Sequence, residues 1–208
     1  MNTWIILAPE YPPAIGGISD YLGQLTAALV AAGDEVDLFA PTPVAPSADP
    51  RLRVHELPRG YDRRAWPRIE QLARERRDAV TLLQYLPFLF GHPGRLRHLL
   101  TWPGPLWVMF HEAAYPFEPG QALRHRALAI GTHLAARALA ARADRVLVST
   151  PGCESALEKF GKSSFSAVWL PIPSNLSRAP QPRSRETVLA EHGLDPGKPI
   201  VGHFSAFG

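Results

Sequence analysis

Three clusters in this 208-residue chain bring together backbone and side chains suited to polar chemistry, and each follows an apolar run. Gly16-Gly17 follows Trp4-Ile5-Ile6-Leu7-Ala8 across a proline-rich turn. His111-Glu112 ends the run that starts at Pro105, and Ser149-Thr150 ends the run that starts at Asp144. A glycine pair lets backbone come close to a ligand, and a helix that starts there offers unpaired N–H groups to an anion. That pairing suits a phosphate or pyrophosphate; the alternative is that the glycines only make the turn. Glu10 and Tyr11 stand at the mouth of the first run, and Asp20 is placed to cap the helix that follows. The only cysteine, Cys153, excludes an intrachain disulfide and reads as a small residue buried at a helix start. The histidines other than His111 show no metal-ligand spacing.

The elements that must hold these clusters alternate. Trp4–Ala8 reads as a buried strand. From Ser19, Tyr21, Leu22, Leu25, Ala28, Leu29 and Ala32 recur at helical spacing, Gly33 stops the helix, and Val36–Phe39 is a second strand. Further strands are expected at Asp78–Tyr85, Pro105–His111, Asp144–Ser149 and Ala167–Leu170. Helices are expected at Arg68–Arg77, Gly94–Leu100, Leu123–Ala143, Pro151–Phe160 (capped by Ser149 or Thr150, closed by Gly161) and Arg185–Gly193. Apolar strands with intervening helices predict an α/β fold, a Rossmann-like doubly wound parallel sheet with helices on both faces. Ligands on such sheets sit at the carboxyl ends of the strands, where all three clusters fall.

Composition narrows the partners. Net charge is +3, carried almost wholly by arginine, and no nucleic-acid module is present, so nucleic-acid binding is not expected. Two arginine-edged amphipathic stretches, Tyr61–Arg77 and Ala122–Arg145, read as helices packed on the sheet with a solvated basic face; contact with anionic lipid is the other reading. No run approaches the roughly 20 apolar residues that cross a bilayer, and the N-terminus lacks a signal peptide's basic flank. A reducing, cytoplasmic location is the expectation, with peripheral contact at the inner membrane face as an addition to it.

The segments in order resemble the N-terminal half of a two-domain GT-B-fold glycosyltransferase of family 4, the retaining, glycogen-synthase-like type. The resemblance is carried by P-x-x-GG-I-x-x-Y-x-x-x-L at Pro13–Leu25 with its Ala32–Val36 exit, His111 ending a central strand, and ADRVLVST at Ala143–Thr150. LPIPSN at Leu170–Asn175 and L-x-x-x-G-L before KPIVGHF complete it. The Pro12–Ile18 loop departs from G-x-G-x-x-G, which argues against a dehydrogenase.

The resemblance implies that Gly16 and Gly17 approach the pyrophosphate and sugar of a nucleotide-diphosphate sugar, the co-substrate. It implies that His111 is the catalytic-site residue contacting donor sugar and acceptor; a neutral imidazole can bond a sugar hydroxyl at either nitrogen, or it can bond a loop carbonyl. Glu10, Tyr11 and Glu112 are the candidates for the glycan or lipid-linked acceptor, and loops Pro41–Arg53 and Ala113–Gln121 are where acceptor identity would lie. No metal or other cofactor is expected. Residues 1–178 are expected to form the acceptor-side domain, 179–197 a linker with a short helix, and 198–208 the first strand of a C-terminal donor-binding domain. The cations that neutralise the leaving diphosphate belong to that second domain in the family, so the chain alone is expected to expose an apolar face and to be catalytically incompetent. A GT-B-fold nucleotide-sugar epimerase half and a non-catalytic binding or scaffold module are the alternatives.

Overall fold

The structure, a computed structural model, describes residues 1–87, 96–159, 165–174 and 183–202. Its contacts fall into two compact units, Met1–Asn175 and Leu176–Gly208. The first is built on seven strands: β1 (Thr3–Leu7), β2 (Glu35–Pro41), β3 (Leu52–Leu57), β4 (Val80–Tyr85), β5 (Leu106–Phe110), β6 (Arg145–Val148) and β7 (Ala167–Trp169). Five helices connect them: α1 (Gly17–Ala31), α2 (Ala65–Glu75), α3 (Leu96–Leu100), α4 (Leu123–Arg142) and α5 (Pro151–Glu158). The strands form one sheet in the order β3-β2-β1-β4-β5-β6-β7, and every pairing is parallel. This is the Rossmann-like doubly wound α/β architecture expected from the sequence.

Parallel strands buried on both faces need apolar side chains on both, and that sets the layers. On one face Ile5, Leu7, Leu83, Val108 and Phe110 meet α2 through Trp66 and Ile69, α4 through Ala136 and Leu139, and α5 through Leu157. On the other, Ile6, Leu38, Leu82 and Met109 meet α1 through Leu22 and Val30. Tyr61, just before α2, is fully enclosed, with its hydroxyl 2.9 Å from Ala8 O and 2.8 Å from Phe39 O. It pins the ends of β1 and β2 together.

Local chemistry explains the boundaries. Gly33 takes φ +91°, and its N–H donates to Val30 O while Asp34 N–H donates to Leu29 O, the left-handed glycine stop of α1. Asp34 is then buried and accepts from Asn2 N–H at 2.7 Å and Trp4 Nε1 at 2.9 Å, which sets β1 beside β2. Helix α2 begins at Ala65, three residues before the expected start at Arg68, because the Asp62 carboxylate accepts from Arg64 and Ala65 N–H and fixes its first turn. Pro151 opens α5, with Thr150 in the cap position; the Thr150 hydroxyl meets Cys153 Sγ at 3.5 Å instead of a backbone N–H, and Cys153 is buried as expected.

Strand β3 was not foreseen. Its LRVHEL alternation carries charge, and it overlaps the segment read as the loop Pro41–Arg53. It exists because β2 offers an edge and a buried carboxylate. Asp37, only 1% exposed, accepts from Arg53 Nε at 2.9 Å, contacts His55 Nε2 at 2.8 Å and lies 3.3 Å from Arg76 Nε. Burial alone pushes Asp37 up, but the hydrogen bonds from His55 and Arg53 and the two guanidinium charges hold it down at about 2.

In the second unit, α6 (Arg185–Glu191) is capped by the Ser184 hydroxyl, which accepts from Thr187 N–H at 3.2 Å. Gly193 at φ +62° closes it, with Leu194 N–H donating to Leu189 O. Within the segment read as a strand over 198–208, residues 198–202 belong to no strand and 203–208 lie outside the described residues. Asn175 of the LPIPSN turn, Gly94 and Arg95 of the expected Gly94–Leu100 helix, and Phe160 and Gly161 at the expected end of α5 also lie outside them.

Candidate functional site

The strand order reverses at β1. From β1 the chain builds outward to β2 and β3, then crosses back to place β4 on the other side of β1. Strands β2 and β3 extend from one side of β1 and β4 to β7 from the other, so the carboxyl edge of β1 and β4 is the switch point at which ligands sit on open α/β sheets. The β1–α1 loop, the last residues of β4 and the residue after β5 all face that edge.

Gly16 occupies the cap position of α1 with extended backbone, and Asp20 N–H donates to Gly16 O at 3.0 Å to start the helix. Asp20 lies in the first turn, and Glu10 caps the helix. The Glu10 carboxylate accepts from Ser19 N–H at 2.9 Å. It also lies so close to Gly16 that a Cβ there would stand 2.7 Å from Glu10 Cδ and 2.8 Å from Oε2. A Cβ on exposed Gly17 would meet nothing within 4 Å. The two glycines therefore differ: Gly16 makes room for Glu10, and Gly17 leaves the loop open to an approaching group. Glu10 puts negative charge where the helix dipole favours it, at the position read from sequence as an anion site.

Tyr11 turns inward. It is 7% exposed, and its hydroxyl pairs with Thr26 Oγ1 at 3.0 Å under α1. This holds the loop against the helix and points the phenol away from the strand ends. Ser19 is buried, and its Oγ has no hydrogen-bond partner among the described residues.

His111 follows β5 directly, its N–H donating to Tyr85 O at 3.2 Å. Its carbonyl accepts from Ser149 Oγ at 3.2 Å and Cys153 Sγ at 3.4 Å. Ser149 and the start of α5 thus anchor the histidine from below. The ring's Nε2 lies 2.7 Å from Gln84 Oε1, and its face meets Tyr21 edge-on at 5.6 Å. Burial lowers the imidazole to about 4, so it is neutral at physiological pH. Glu112, next in the chain, is exposed.

Helix α1 joins the two halves of the site: its first turn takes Glu10 through Ser19, and Tyr21 then packs on His111. The fold thus gathers Glu10, Gly16, Gly17 and His111 around one helix end, leaves Glu112 at the rim and turns Tyr11 aside. Sequence reading missed Gln84 and Tyr21. A signal for Gln84 was present, an amide placed one from the end of the otherwise largely apolar strand VTLLQY. Among the described residues no group of three or more His, Cys, Asp or Glu is placed to hold a metal ion.

The model of the family described as glycosyl transferase 4-like domain matches residues 16–171. No curated protein matches the chain in sequence. Among solved structures, a sucrose-phosphate synthase from Thermosynechococcus elongatus is similar with a TM-score of 0.52 at 16% identity, over 92% of this chain and 96% of that one. An alpha-glucosyltransferase in complex with UDP gives a TM-score of 0.49 at 12% identity over 84% of this chain. A UDP-glucosyltransferase from Polygonum tinctorium, capable of glucosylating indoxyl and complexed with 3,4-dichloroaniline, gives 0.47 at 11% identity over 86%. The chain spans 44% and 54% of the length of these last two. The first likeness supports the fold; the other two add no argument.

Proposed function

This chain belongs to the glycosyl transferase 4-like domain family, and from that premise we propose that it is the acceptor-side half of a retaining glycosyltransferase. It takes part in moving a hexosyl group from a nucleotide-diphosphate sugar to a glycan or lipid-linked acceptor, with no metal in the step. The observation that carries this reading is the meeting at α1: the glycine loop opens the helix, and Tyr21 on the same helix packs on His111. A phosphate-approaching backbone and a neutral hydrogen-bonding ring then share one carboxyl edge. In this reading Gly17 leaves the loop open to the donor while Gly16 seats Glu10 beside it, His111 bonds a sugar or acceptor hydroxyl, and Glu10 and Glu112 are the acceptor-side carboxylates.

The leaving diphosphate must be neutralised in the transition state. The described strand-end residues Glu10, Ser19, Gln84 and His111 supply no permanent cation. The cations are assigned to a C-terminal donor domain, with residues 1–178 as the acceptor side, 179–197 as linker and that domain following from 198. A groove of about 130 Å³ between the sheet and α1 is lined by the apolar side chains of Trp4, Tyr21, Leu82, Trp107, Met109 and Leu147. Titration calorimetry with nucleotide-sugars and free nucleoside diphosphates tests the reading. Weak binding to the 208 residues and tight binding to a longer parent chain is the expected pair. Tight binding to the 208 residues alone would assign the donor site to this chain by itself.

Peripheral contact with the inner membrane face belongs to the same reading. No described helix is long and apolar enough to cross a membrane. Helix α4 carries no acidic residue and exposes Leu123, Ile130 and Leu134 alongside Arg124 and Arg126, but its apolar residues are spread around the helix and not gathered on one side as the sequence reading expected, so its basic charge alone supports lipid contact. Flotation with anionic against zwitterionic vesicles at low salt measures it; equal recovery with both would remove it.

A further inference from the structure

We propose that Gln84 is a positioning residue that fixes His111 as its Nε2–H tautomer, so that Nδ1 meets the ligand as a hydrogen-bond acceptor. The inference deepens the proposed role of His111 and rests on it. Strand β4 lies between β1 and β5. Its Gln84 is therefore seated between the glycine loop and His111, on the strand neither sequence motif touches.

Gln84 is 0% exposed, and its Oε1 stands 2.7 Å from His111 Nε2. An amide oxygen only accepts, so Nε2 carries the hydrogen. A neutral imidazole has one N–H, which leaves Nδ1 with a lone pair and, among the described residues, no partner. Burial, which lowers the ring's proton affinity, keeps that lone pair available at physiological pH. The other end of the amide is the second argument. Gln84 Nε2 is buried with no partner among the described residues. An unpaired buried donor costs stability, and an apolar residue like the neighbouring Leu82 and Leu83 would avoid the cost. The amide's visible gain is its oxygen on His111.

The consequence is a choice of ligand chemistry. A ring fixed this way rejects a carbonyl or phosphate oxygen at Nδ1, because two acceptors would face each other, and accepts a hydroxyl. The matching ligand group is a sugar or acceptor hydroxyl.

The ring nitrogens report this directly. Long-range proton–nitrogen correlation spectra of the ¹⁵N-labelled full chain should show one protonated Nε2 and one unprotonated Nδ1 for His111. Gln84→Glu keeps an acceptor of the same length and should keep the tautomer while raising the ring's pKa. Gln84→Met keeps the length without the acceptor and should shift both nitrogen signals toward the average of the two tautomers. A wild-type ring protonated at Nδ1 overturns the proposal, as does an unchanged ring in folded Gln84→Met. Should Gln84→Met not fold, a Gln84→Glu ring that loses the Nε2–H tautomer overturns it equally. Adding a nucleotide-sugar or a free sugar separates the two levels. A shift at Nδ1 supports both; a fixed tautomer that no ligand perturbs overturns the ligand role of His111 while leaving the positioning by Gln84 standing.

Discussion

The Glu10 carboxylate lies against Gly16, and the same side chain caps α1 by accepting the Ser19 N–H at 2.9 Å. An internal anion thus holds the helix end that the glycine loop was expected to present to a phosphate. The two glycines of the loop have separate tasks, and substitution should separate them.

Gly16→Ala should force Glu10 out of its position, since the new Cβ would stand 2.7 Å from Glu10 Cδ. Glu10 can swing aside, so the cost is chiefly the lost cap, about 1 kcal/mol of destabilisation, read as a lower denaturant midpoint. Gly17→Ala meets open space and sits in a helical first turn, so stability should hold or rise by up to ~1 kcal/mol. Its effect should appear in nucleotide-sugar affinity instead. Equal destabilisation by both would show that the loop is only a turn.

Removing the Glu10 charge should have two opposite effects. Glu10→Gln weakens the charge–dipole interaction at α1 and should cost about 1 kcal/mol of stability. The same change should strengthen binding of inorganic diphosphate, because the resident negative charge is gone. Calorimetry on wild type and Glu10→Gln compares them directly; unchanged or weaker diphosphate binding would place the anion site elsewhere.

Affinity for a sugar ligand should follow His111. Its neutral ring is the hydrogen-bonding form, and burial has moved its titration from 6.5 to about 4. Binding should therefore stay level as pH falls past 6.5 and drop only toward 4. In the folding equilibrium the same shift works against acid: the unfolded chain takes the proton first, so stability declines between those two values. Loss of affinity centred near 6.5 would show an accessible, unshifted ring.

The Asp37 cluster should set acid stability from the other side. Its folded pKa of about 2 lies below the ordinary 3.8, so its contribution is complete above about 3.8 and is lost as pH falls through about 2. The shift corresponds to about 2 kcal/mol. Asp37→Asn should abolish this segment of the pH–stability curve and loosen β3, whose Arg53 and His55 it holds; thermal unfolding across that range measures it.

What the sequence determined was local. Side-chain periodicity and turn chemistry placed β1, α1, β2, α4, β6 and α5 nearly to their boundaries, because a 3.6-residue apolar period, Gly33 at positive φ and Pro151 at a helix start act within a few residues of chain. It put Gly16, Gly17 and His111 at strand ends for the same reason. Long-range pairing decided the rest. β3 is charged and partly exposed, and it became a strand only against β2 and the buried Asp37. Tyr11 went under α1 rather than toward the strand ends because Thr26, more than two turns into that helix, offered its phenol a partner. Gln84 entered the site because the strand order set β4 between β1 and β5. Glu10 became a cap because the loop after β1 folds back over the first turn of α1. Which side chains share a carboxyl edge is fixed by crossovers between distant segments, and no local period in the sequence encodes that neighbourhood.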